Sequence, residues 1–369
     1  MSKLKVGIVF GGRSVEHEVS LLSAKSVIKN TDTKIYDIYP IFIDKNGLWH
    51  RVSIDEWQKD GELQIYTESF LTPSLNHQNP VFYEIEDSQV RDQIKLDAVF
   101  PVLHGTHGED GAIQGMLELM GIPFVGASVL GSAIGMDKLV MKAVLNEASI
   151  PVVPYFGFYK YEWESDKETI HNKLVTRIGF PCFVKSANLG SSVGISKVNS
   201  ETELNSAVDD SCMYSNRILI EKAVSNPREI EISVLGHEDP IASLPGEIVP
   251  HRDFYDYTAK YLEQGTGLIA PAQIDEDMTK KLRALAVETF KALDCSGMAR
   301  VDFLMDGDTK ELFIGEINTI PGFTQISMYP KLWEITGIPF TELITKLFDF
   351  AIHRKNETMK LSTDIKERI

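Results

Sequence analysis

The sequence predicts an α/β fold with a parallel sheet in its first third, followed by a mixed α+β architecture. Short apolar runs at residues 6–10 and 98–103 each end in a glycine-containing loop that leads into a helical pattern. From about residue 180, strand patterns follow one another with a glycine-rich loop between two of them. Ligands of parallel sheets bind beyond the carboxyl ends of the strands, and both N-terminal glycine loops fall at that edge.

The first third is predicted to alternate strand and helix, because continuous apolar runs indicate buried strands and helical spacing indicates helices. The predicted order is strand 6–10, helix 16–29, strand 36–43, strand 98–103, helix 112–120 and a closing strand 122–125. Residues 55–95 are polar and are predicted to be excursions on the surface.

The remainder begins with a predicted helix over about 136–148, and the segment I-P-V-V-P then indicates a joint between domains. The predicted elements that follow are strand 180–185, strand 195–198, helix 201–208, strands 217–222, 229–235 and 241–249, helix 277–293, two strands joined by D-G-D-T-K, and helix 340–352. The charged tail after residue 354 is expected to be loose. The predicted domains are 1–125, 126–223 and 224–369.

Composition excludes several classes of function. The 369 residues carry 37 Lys and Arg against 53 Asp and Glu, which gives a formal net charge of −16. Such a chain is not predicted to bind nucleic acid, and an anionic ligand needs a local group of lysines or backbone amides. The three cysteines show no metal-ligand spacing and predict no disulfide framework. No segment is apolar enough to span a membrane, and we expect a cytoplasmic protein.

One constellation of polar residues is predicted on a hairpin near the C-terminus. Arg300 and Asp302 are two apart on one predicted strand, and Glu316 and Asn318 are two apart on the next. Residues with that spacing share a face, so a short hairpin brings all four together. Two carboxylates and an amide oxygen suit octahedral Mg²⁺. The alternative is a solvated hairpin face on which Arg300 makes a cross-strand ion pair.

Three further segments could form a site. K-S-A-N-L-G-S-S-V-G places a lysine, Lys185, before small residues whose amides can surround phosphate oxygens, although the segment could also be a simple turn. Glu16 and His104 follow the two N-terminal strands, where an acid can hold an ammonium or only cap a helix. The tyrosine-rich loop 251–267 is long and polar, which favours a lid over a surface turn.

In this order, the motifs resemble the D-alanine–D-alanine ligase family of ATP-grasp enzymes over nearly the whole chain. The motifs are G-G-R-S-V-E-H-E-V-S, H-G-T-H-G-E-D-G, M-D-K, G-S-S-V-G-I-S-K-V, Y-D-Y-T-A-K-Y, A-R-V-D and E-I-N-T-I-P-G-F-T. The resemblance implies an ATP-grasp fold with an N-terminal α/β parallel-sheet domain. It also implies ATP-dependent formation of D-Ala–D-Ala through an acyl phosphate, for peptidoglycan precursors, in a homodimer.

The resemblance also implies residue roles. Asp302, Glu316 and Asn318 would bind two Mg²⁺ or Mn²⁺ ions, and the nucleotide contacts would come from Lys138, Lys185, Glu221, Glu229 and Lys260. Glu16, with His104 nearby, would hold the first D-alanine, and Ser327 would bind the carboxylate of the second. Arg300 and the Gly322 amide would form an oxyanion hole, and Ser191 and Tyr261 would tie the lid to Glu16. The chain departs from the family at Ser186, where proline is usual, and a slightly freer loop is expected.

Other functions stay open at this point. A lysine–tyrosine pair in the lid favours D-alanine as the second substrate, but D-lactate or D-serine ligases belong to the same superfamily. A non-catalytic ATP-binding regulator would have lost a metal ligand or Arg300, and a different carboxylate–amine ligase would lack Glu16 and Ser327 in these contexts. All of these residues are present.

Overall fold

The computed structural model describes residues 2–54, 57, 63, 68–190, 194–249 and 267–362, and within these the strands form three sheets. The first sheet has the strand order β6-β5-β4-β3-β2-β1-β7. Its elements are β1 (Leu4–Gly11), α1 (His17–Asn30), β2 (Tyr36–Ile43), β3 (Trp49–Arg51), β4 (Phe70–Pro73), β5 (Val81–Glu86), β6 (Gln89–Lys95), β7 (Ala98–Val102) and α2 (Ala112–Met120).

The centre of this sheet is parallel, as predicted, because β1 pairs in parallel with both β2 and β7. The prediction for residues 55–95 was wrong in part, since β4, β5 and β6 fall within this stretch. Together with β3, they extend the sheet by antiparallel pairs and make it mixed. The polarity of this stretch has a physical cause: six of the seven residues of β6 are exposed at the edge of the sheet. An edge strand with charged side chains resists pairing with another chain.

Two helices follow the first sheet and lead to the second. They are α3 (Val129–Met136), which the sequence did not predict, and α4 (Lys138–Glu147), which corresponds to the helix predicted over about 136–148. The break lies at Asp137, whose Oδ1 accepts hydrogen bonds of 3.0 Å from the amides of Leu139 and Val140 and so caps α4. The same carboxylate forms an ion pair with Arg217. The cap fixes where α4 begins and therefore where its first lysine lies.

The second sheet is antiparallel, with the strand order β10-β9-β11-β8. Its elements are β8 (Tyr155–Tyr159), α5 (Lys160–Ser165), α6 (Lys167–Arg177), β9 (Cys182–Ser186), β10 (Ile195–Val198), α7 (Glu201–Tyr214) and β11 (Arg217–Lys222). One face packs on α6 and α7 in a closed apolar core that includes Val184, Ile220 and Leu204. The other face turns toward α4, because a Cβ built at Gly157 would lie 2.4 Å from the Leu139 side chain.

The third sheet has the order β15-β14-β12-β16-β17, with β13 paired to β12. Its elements are β12 (Arg228–Gly236), β13 (Ile241–Ala242), β14 (Gly246–Val249), β15 (Gly267–Ile269), α8 (Glu276–Ala292), β16 (Gly297–Met305), β17 (Leu312–Asn318), α9 (Met328–Thr336) and α10 (Phe340–Met359). Met141 and Leu145 of α4 belong to its core, so α4 packs against both the second and the third sheets.

The C-terminal helix returns to the first sheet. The Tyr36 and Phe348 rings lie 5.0 Å apart between centroids, and Phe100 and Phe323 lie 5.3 Å apart edge to face. This packing brings the loop that contains Phe323 to the glycine-loop edge of the N-terminal sheet. The helices at 201–208 and 340–352 were predicted too short, since α7 continues to Tyr214 and α10 to Met359.

The cysteines and the apolar character of the helices were also addressed from the sequence. All three cysteines are buried free thiols, which confirms that no disulfide framework is present. In the part of the chain that the structure describes, no helix combines the length and apolar character needed to cross a membrane. The domain boundaries at 125 and 223 stay predictions.

Candidate active site

The polar face of the β16–β17 hairpin forms as the sequence predicts. In the register, Arg300 lies opposite Asn318 and Asp302 lies opposite Glu316. The register then shifts, so that Phe303 pairs with Ile314. This bulge follows the polar residues directly, and bulges often occur where a sheet presents side chains to a site.

Arg300 is held between two carboxylates. Its Nε and Nη2 donate hydrogen bonds of 2.6 Å each to the two oxygens of Asp302, and Nε lies 3.2 Å from Oε2 of Glu231. Burial alone would lower the pKa of Arg300, but Asp302 and Glu231 raise it well above its usual value. The guanidinium is therefore a permanently charged and firmly oriented donor. The cross-strand ion pair weighed for Arg300 is present, because Arg300 pairs with Glu231 on the adjacent strand β12 as well as with Asp302 on its own strand.

The donor set fits a magnesium ion. Asp302 and Glu316 supply carboxylate oxygens, and Asn318 supplies an amide oxygen, which hard cations prefer. Asn318 donates through Nδ2 to Oδ2 of Asp302 at 3.0 Å, so the three side chains already lie together. Within the described residues, no group of three or more His, Cys, Asp or Glu is arranged for a metal ion. A cation here would thus use the amide and phosphate oxygens besides the two carboxylates, and it would share Asp302 with Arg300.

The predicted nucleotide lysines lie next to this hairpin. Lys138 is the first residue of α4, and its Nζ lies 3.7 Å from Oε2 of Glu316. The same Nζ donates a 2.8 Å hydrogen bond to the carbonyl of Leu189, in the glycine-rich loop. One ammonium therefore connects the predicted metal ligands with the loop that was predicted to surround phosphates.

Lys185 lies on β9 and forms an ion pair with Glu221 on β11. The Nζ of a second lysine, Lys142, lies 3.0 Å from Oε2 of Glu221. Burial raises the pKa of Glu221, but Lys142 and Lys185 outweigh it and lower the pKa to about 2. Burial lowers the pKa of Lys185, but Glu221 above all, followed by Glu316 and Glu229, raises it above its usual value. Lys142, Glu221 and Lys185 form one charged group between α4 and the second sheet, and Glu229 of β12 in the third sheet acts on it by its charge.

Two glycine-containing loops from different sheets converge on Glu16. A Cβ built at Gly105, whose φ is +71°, would lie 2.5 Å from Oε2 of Glu16, and one at Gly190 would lie 3.5 Å from it. The first loop belongs to the N-terminal sheet and the second follows β9. Glu16 itself is 7% exposed. An acid so placed between two glycine loops can hold an ammonium group of a small ligand.

His104 joins the first and last thirds of the chain. Its Nδ1 lies 3.0 Å from the carbonyl of Ile320, which can only accept, so Nδ1 carries the proton and Nε2 accepts from Ser23 Oγ at 2.9 Å. Ser23 Oγ in turn accepts the Phe323 amide at 3.2 Å. Burial lowers the pKa of His104, which favours this neutral form. Both ring nitrogens are engaged, and His104 thus fixes the loop that carries Gly322.

Glu109 reinforces the same connection and was given no role from the sequence. Its two carboxylate oxygens accept the amides of Gly105 at 2.8 Å and Ile320 at 3.1 Å. Burial, followed by the charge of Glu16, raises its pKa to about 8. The residue stands inside the motif H-G-T-H-G-E-D-G, where a carboxylate among glycines was the signal that could have found it.

Gly322 and Ser327 lie together in the next loop. A Cβ at Gly322 would lie 2.8 Å from Ser327 Oγ, so only glycine leaves that hydroxyl accessible. The hydroxyl accepts the Thr324 amide at 3.0 Å and lies 2.7 Å from the Thr324 hydroxyl. Ser327 precedes α9, and an anion near the start of a helix is favoured by its dipole.

Ser186 carries an unexpected contact. Its amide donates a 3.2 Å hydrogen bond to the carbonyl of Gly194, and its hydroxyl lies 3.3 Å from the carbonyl of Ser211. Proline has neither a backbone N–H nor a hydroxyl and could therefore make neither bond. The expectation of a slightly freer loop stays a prediction, because residues 191–193 lie outside the described residues. The predicted site residues Ser191, Lys260 and Tyr261 lie outside the described residues, as does the lid prediction for 251–266.

The arrangement defines a class of protein: two sheets carry lysines and carboxylates around the ends of a glycine-rich loop, as in ATP-grasp enzymes. Family models described as "D-ala D-ala ligase N-terminus" and "D-ala D-ala ligase C-terminus" match residues 5–127 and 144–349. The chain therefore belongs to the D-alanine–D-alanine ligase family, which confirms the resemblance and the ATP-grasp fold.

Individual relatives agree with this assignment over the whole chain. The D-alanine–D-alanine ligase of Heliobacterium modesticaldum is 44% identical over 370 residues, covering 99% of each protein. The solved D-alanine–D-alanine ligase of Coxiella burnetii is 37% identical, with a TM-score of 0.83 and coverage of 98% of this chain and 97% of that one. The VanG D-Ala:D-Ser ligase of Enterococcus faecalis is 35% identical, also with a TM-score of 0.83, over 95% of this chain and 100% of that one.

Proposed function

We propose that this ligase joins two molecules of D-alanine to D-Ala–D-Ala at the expense of ATP, for peptidoglycan precursors. The observation that supports it best is the 3.7 Å separation between Lys138 Nζ and Glu316 Oε2. It puts a phosphate-binding cation beside an acid suited to Mg²⁺, and ATP phosphates need both. Relatives of similar length carry the same activity in their names.

The nucleotide lies between the second and third sheets in this proposal. Lys138 and Lys185 contact its phosphates, with Lys260 as a further contact from the predicted lid. Glu221 accepts the adenine amino group and Glu229 the ribose hydroxyls, as the family resemblance implies, and both carboxylates act on Lys185. Asp302, Glu316 and Asn318 hold two Mg²⁺ ions, which Mn²⁺ can replace. When bound, these ions offset the charge of the phosphate oxygens.

The first D-alanine binds with its ammonium at Glu16 and its carboxylate toward the nucleotide. Its carboxylate oxygen attacks the γ-phosphorus of ATP, the bond to ADP breaks, and an acyl phosphate forms. Arg300 and the Gly322 amide donate to the carboxyl oxygen on which negative charge develops in the next step. The two carboxylates that hold Arg300 keep it in one orientation, so little reorganisation accompanies the reaction.

The second D-alanine binds with its carboxylate at Ser327. Its amine attacks the acyl carbon, phosphate leaves, and the peptide bond forms. Ser191 and Tyr261 complete a hydrogen-bonded set with Glu16 that closes the site, and closure protects the acyl phosphate from water. His104 takes part by fixing the loop around Gly322, since both of its ring nitrogens are engaged.

D-Serine is the second candidate acceptor, because a D-Ala:D-Ser ligase is 35% identical and has the same fold. D-Lactate and a non-catalytic ATP-binding role are further alternatives. The decisive experiment measures phosphate release from ATP and Mg²⁺ with D-alanine alone, and with D-alanine plus D-serine or D-lactate. Mass spectrometry identifies each product.

Release with D-alanine alone, together with the dipeptide mass, is expected. Release only when a second acceptor is added would replace D-alanine by that acceptor. No release from folded, ATP-binding protein would favour the regulatory role.

We also propose a homodimer that associates through the N-terminal segment. Leu119 on α2 and Leu130 on α3 are 64% and 57% exposed, and these helices pack on each other. An exposed apolar surface of this kind is typical of an interface. Sedimentation equilibrium tests it: L119E/L130E should give a monomer from a dimeric parent, and a monomeric parent would overturn the proposal. Because the reaction consumes ATP, the proposed compartment is the cytoplasm.

A further inference from the structure

A buried lysine, Lys142, has no role in the reaction described above. It lies one helical turn after Lys138 on α4, so both lysines project from the same side of that helix. Lys138 reaches the glycine-rich loop and Glu316, whereas the Lys142 side chain is fully buried. Its Nζ lies 3.0 Å from Oε2 of Glu221.

The strands beneath explain why Glu221 stands there. Across the second sheet, Glu221 of β11 pairs with Tyr155 of β8 on one side and with Phe183 of β9 on the other. The Lys142 ammonium lies 5.6 Å from the centroid of the Tyr155 ring, and the Lys185 ammonium lies 5.4 Å from that of Phe183. Each cation thus has an aromatic ring and one oxygen of the shared carboxylate.

The charges indicate what the arrangement does. Glu221 faces two ammonium groups and neutralises only one of their positive charges, so its presence still leaves a positive charge suited to phosphate. If Glu221 faced Lys185 alone, the two charges would neutralise each other and Lys185 would be drawn fully into the pair. Because Lys142 faces Oε2 and Lys185 faces Oε1, the two lysines share the carboxylate, and Lys185 stays able to contact another anion.

Stability does not account for Lys142. A buried ion pair gains little over well-packed apolar residues, because desolvation of both charges offsets their attraction. A leucine or methionine at this place on α4 would fill the same space without a counter-charge. An apolar side chain at position 142, however, would not help to keep Glu221 ionised or hold its carboxylate in this orientation.

We propose that Lys142 is a positioning residue for the nucleotide: it holds Glu221 ionised and oriented, and through Glu221 it presents Lys185 to the phosphates. The proposal rests on the nucleotide site of the proposed function. Lys142 does not touch the nucleotide itself, because its ammonium is inaccessible to solvent and lies behind Glu221.

The first test compares steady-state kinetics of wild type, K142M and K142R. We expect K142M to raise KM for ATP about tenfold or more, by analogy with residues that orient the ligands of a metal ion. The KM for D-alanine and kcat should change less than about threefold, and K142R should restore most of the ATP affinity because it keeps the charge. K280M is the matched control, since Lys280 is 66% exposed in an ion pair on α8.

The second test asks whether Lys142 acts through Glu221, and it also covers the case in which K142M fails to fold. E221Q leaves the Lys142 ammonium buried without a counter-charge, so the melting temperature of E221Q/K142M should exceed that of E221Q. In the E221Q background, K142M should no longer alter the affinity for adenylyl imidodiphosphate with Mg²⁺. A lower melting temperature for the double variant, or an undiminished effect on affinity, would overturn the coupling.

A third variant separates this inference from the proposed function. K185M should lose binding of adenylyl imidodiphosphate with Mg²⁺, and unchanged binding would remove Lys185 from the nucleotide site and the role of Lys142 with it. If K185M loses binding while K142M keeps the wild-type KM for ATP, only the inference about Lys142 is overturned. A fall in melting temperature of K142M without a change in that KM would likewise show a purely structural role.

Discussion

Arg300 and Asp302 lie two residues apart on β16, and the guanidinium of the first donates two hydrogen bonds of 2.6 Å to the carboxylate of the second. The proposed oxyanion donor and a proposed metal ligand are therefore one bonded unit. A cation that binds Asp302 draws on the same two oxygens. The metal and the developing oxyanion would thus be placed relative to each other by a single ion pair.

The lysine substitution at Arg300 tests this unit. R300K keeps the charge but removes the two-pronged geometry, and removal of one such oxyanion donor lowers kcat by about 10²–10³. We expect a loss of that size in kcat with little change in KM for ATP. R91K is the control, because Arg91 forms an exposed ion pair with Glu86. A kcat for R300K within about threefold of wild type would contradict the role.

Glu316→Gln tests the metal assignment. Glutamine keeps the shape but lacks the charge that Mg²⁺ requires, so turnover should be abolished while circular dichroism and the melting temperature stay near wild type. The exposed Glu311, directly before the same hairpin strand, gives the control E311Q, which should be fully active. Normal turnover of E316Q would exclude Glu316 as a metal ligand.

Glu109 predicts a pH dependence of stability. Its pKa is raised to about 8 in the folded protein, so the folded state binds a proton more tightly than the unfolded chain does. This contribution is fully present below the unfolded pKa of about 4.5 and is lost as the pH rises through about 8. Melting temperatures between pH 5 and 8.5 should therefore fall more steeply for wild type than for E109Q. The exposed Glu288 provides the control E288Q, and parallel curves for wild type and E109Q would contradict the prediction.

Ser186→Pro addresses the departure from the family pattern. Proline removes the amide that bonds the Gly194 carbonyl, and loss of one such bond costs about 1 kcal/mol. We expect S186P to melt a few degrees below S186A, which keeps the amide and loses only the hydroxyl. Differential scanning calorimetry measures both. A melting temperature of S186P above that of S186A would show that the amide bond is unimportant there.

Much of the site could be predicted because its residues follow strand periodicity. Arg300, Asp302, Glu316 and Asn318 alternate with apolar residues, so their common face follows from the spacing alone. The edge strand β6 could not be found in this way, because it exposes both faces to water and loses the alternation.

Contacts between residues far apart in the chain also could not be predicted from the sequence. Glu231 was recognised only as part of a strand, yet its register places it opposite Asp302. Lys142 looks like any polar residue of an amphipathic helix until the second sheet places Glu221 beneath it. In each case, the relevant neighbour comes from another element, which no local pattern encodes.

The bonds of His104 and Glu109 to Ile320 span 216 and 211 residues, and that of Ser23 to Phe323 spans 300. During synthesis the chain grows from its N-terminus, so these loops cannot reach their final positions until almost the whole protein has left the ribosome. Closing such long loops carries an entropic cost before the contacts repay it. Catalytic competence should therefore be among the last properties that the nascent chain acquires, well after its N-terminal sheet has formed.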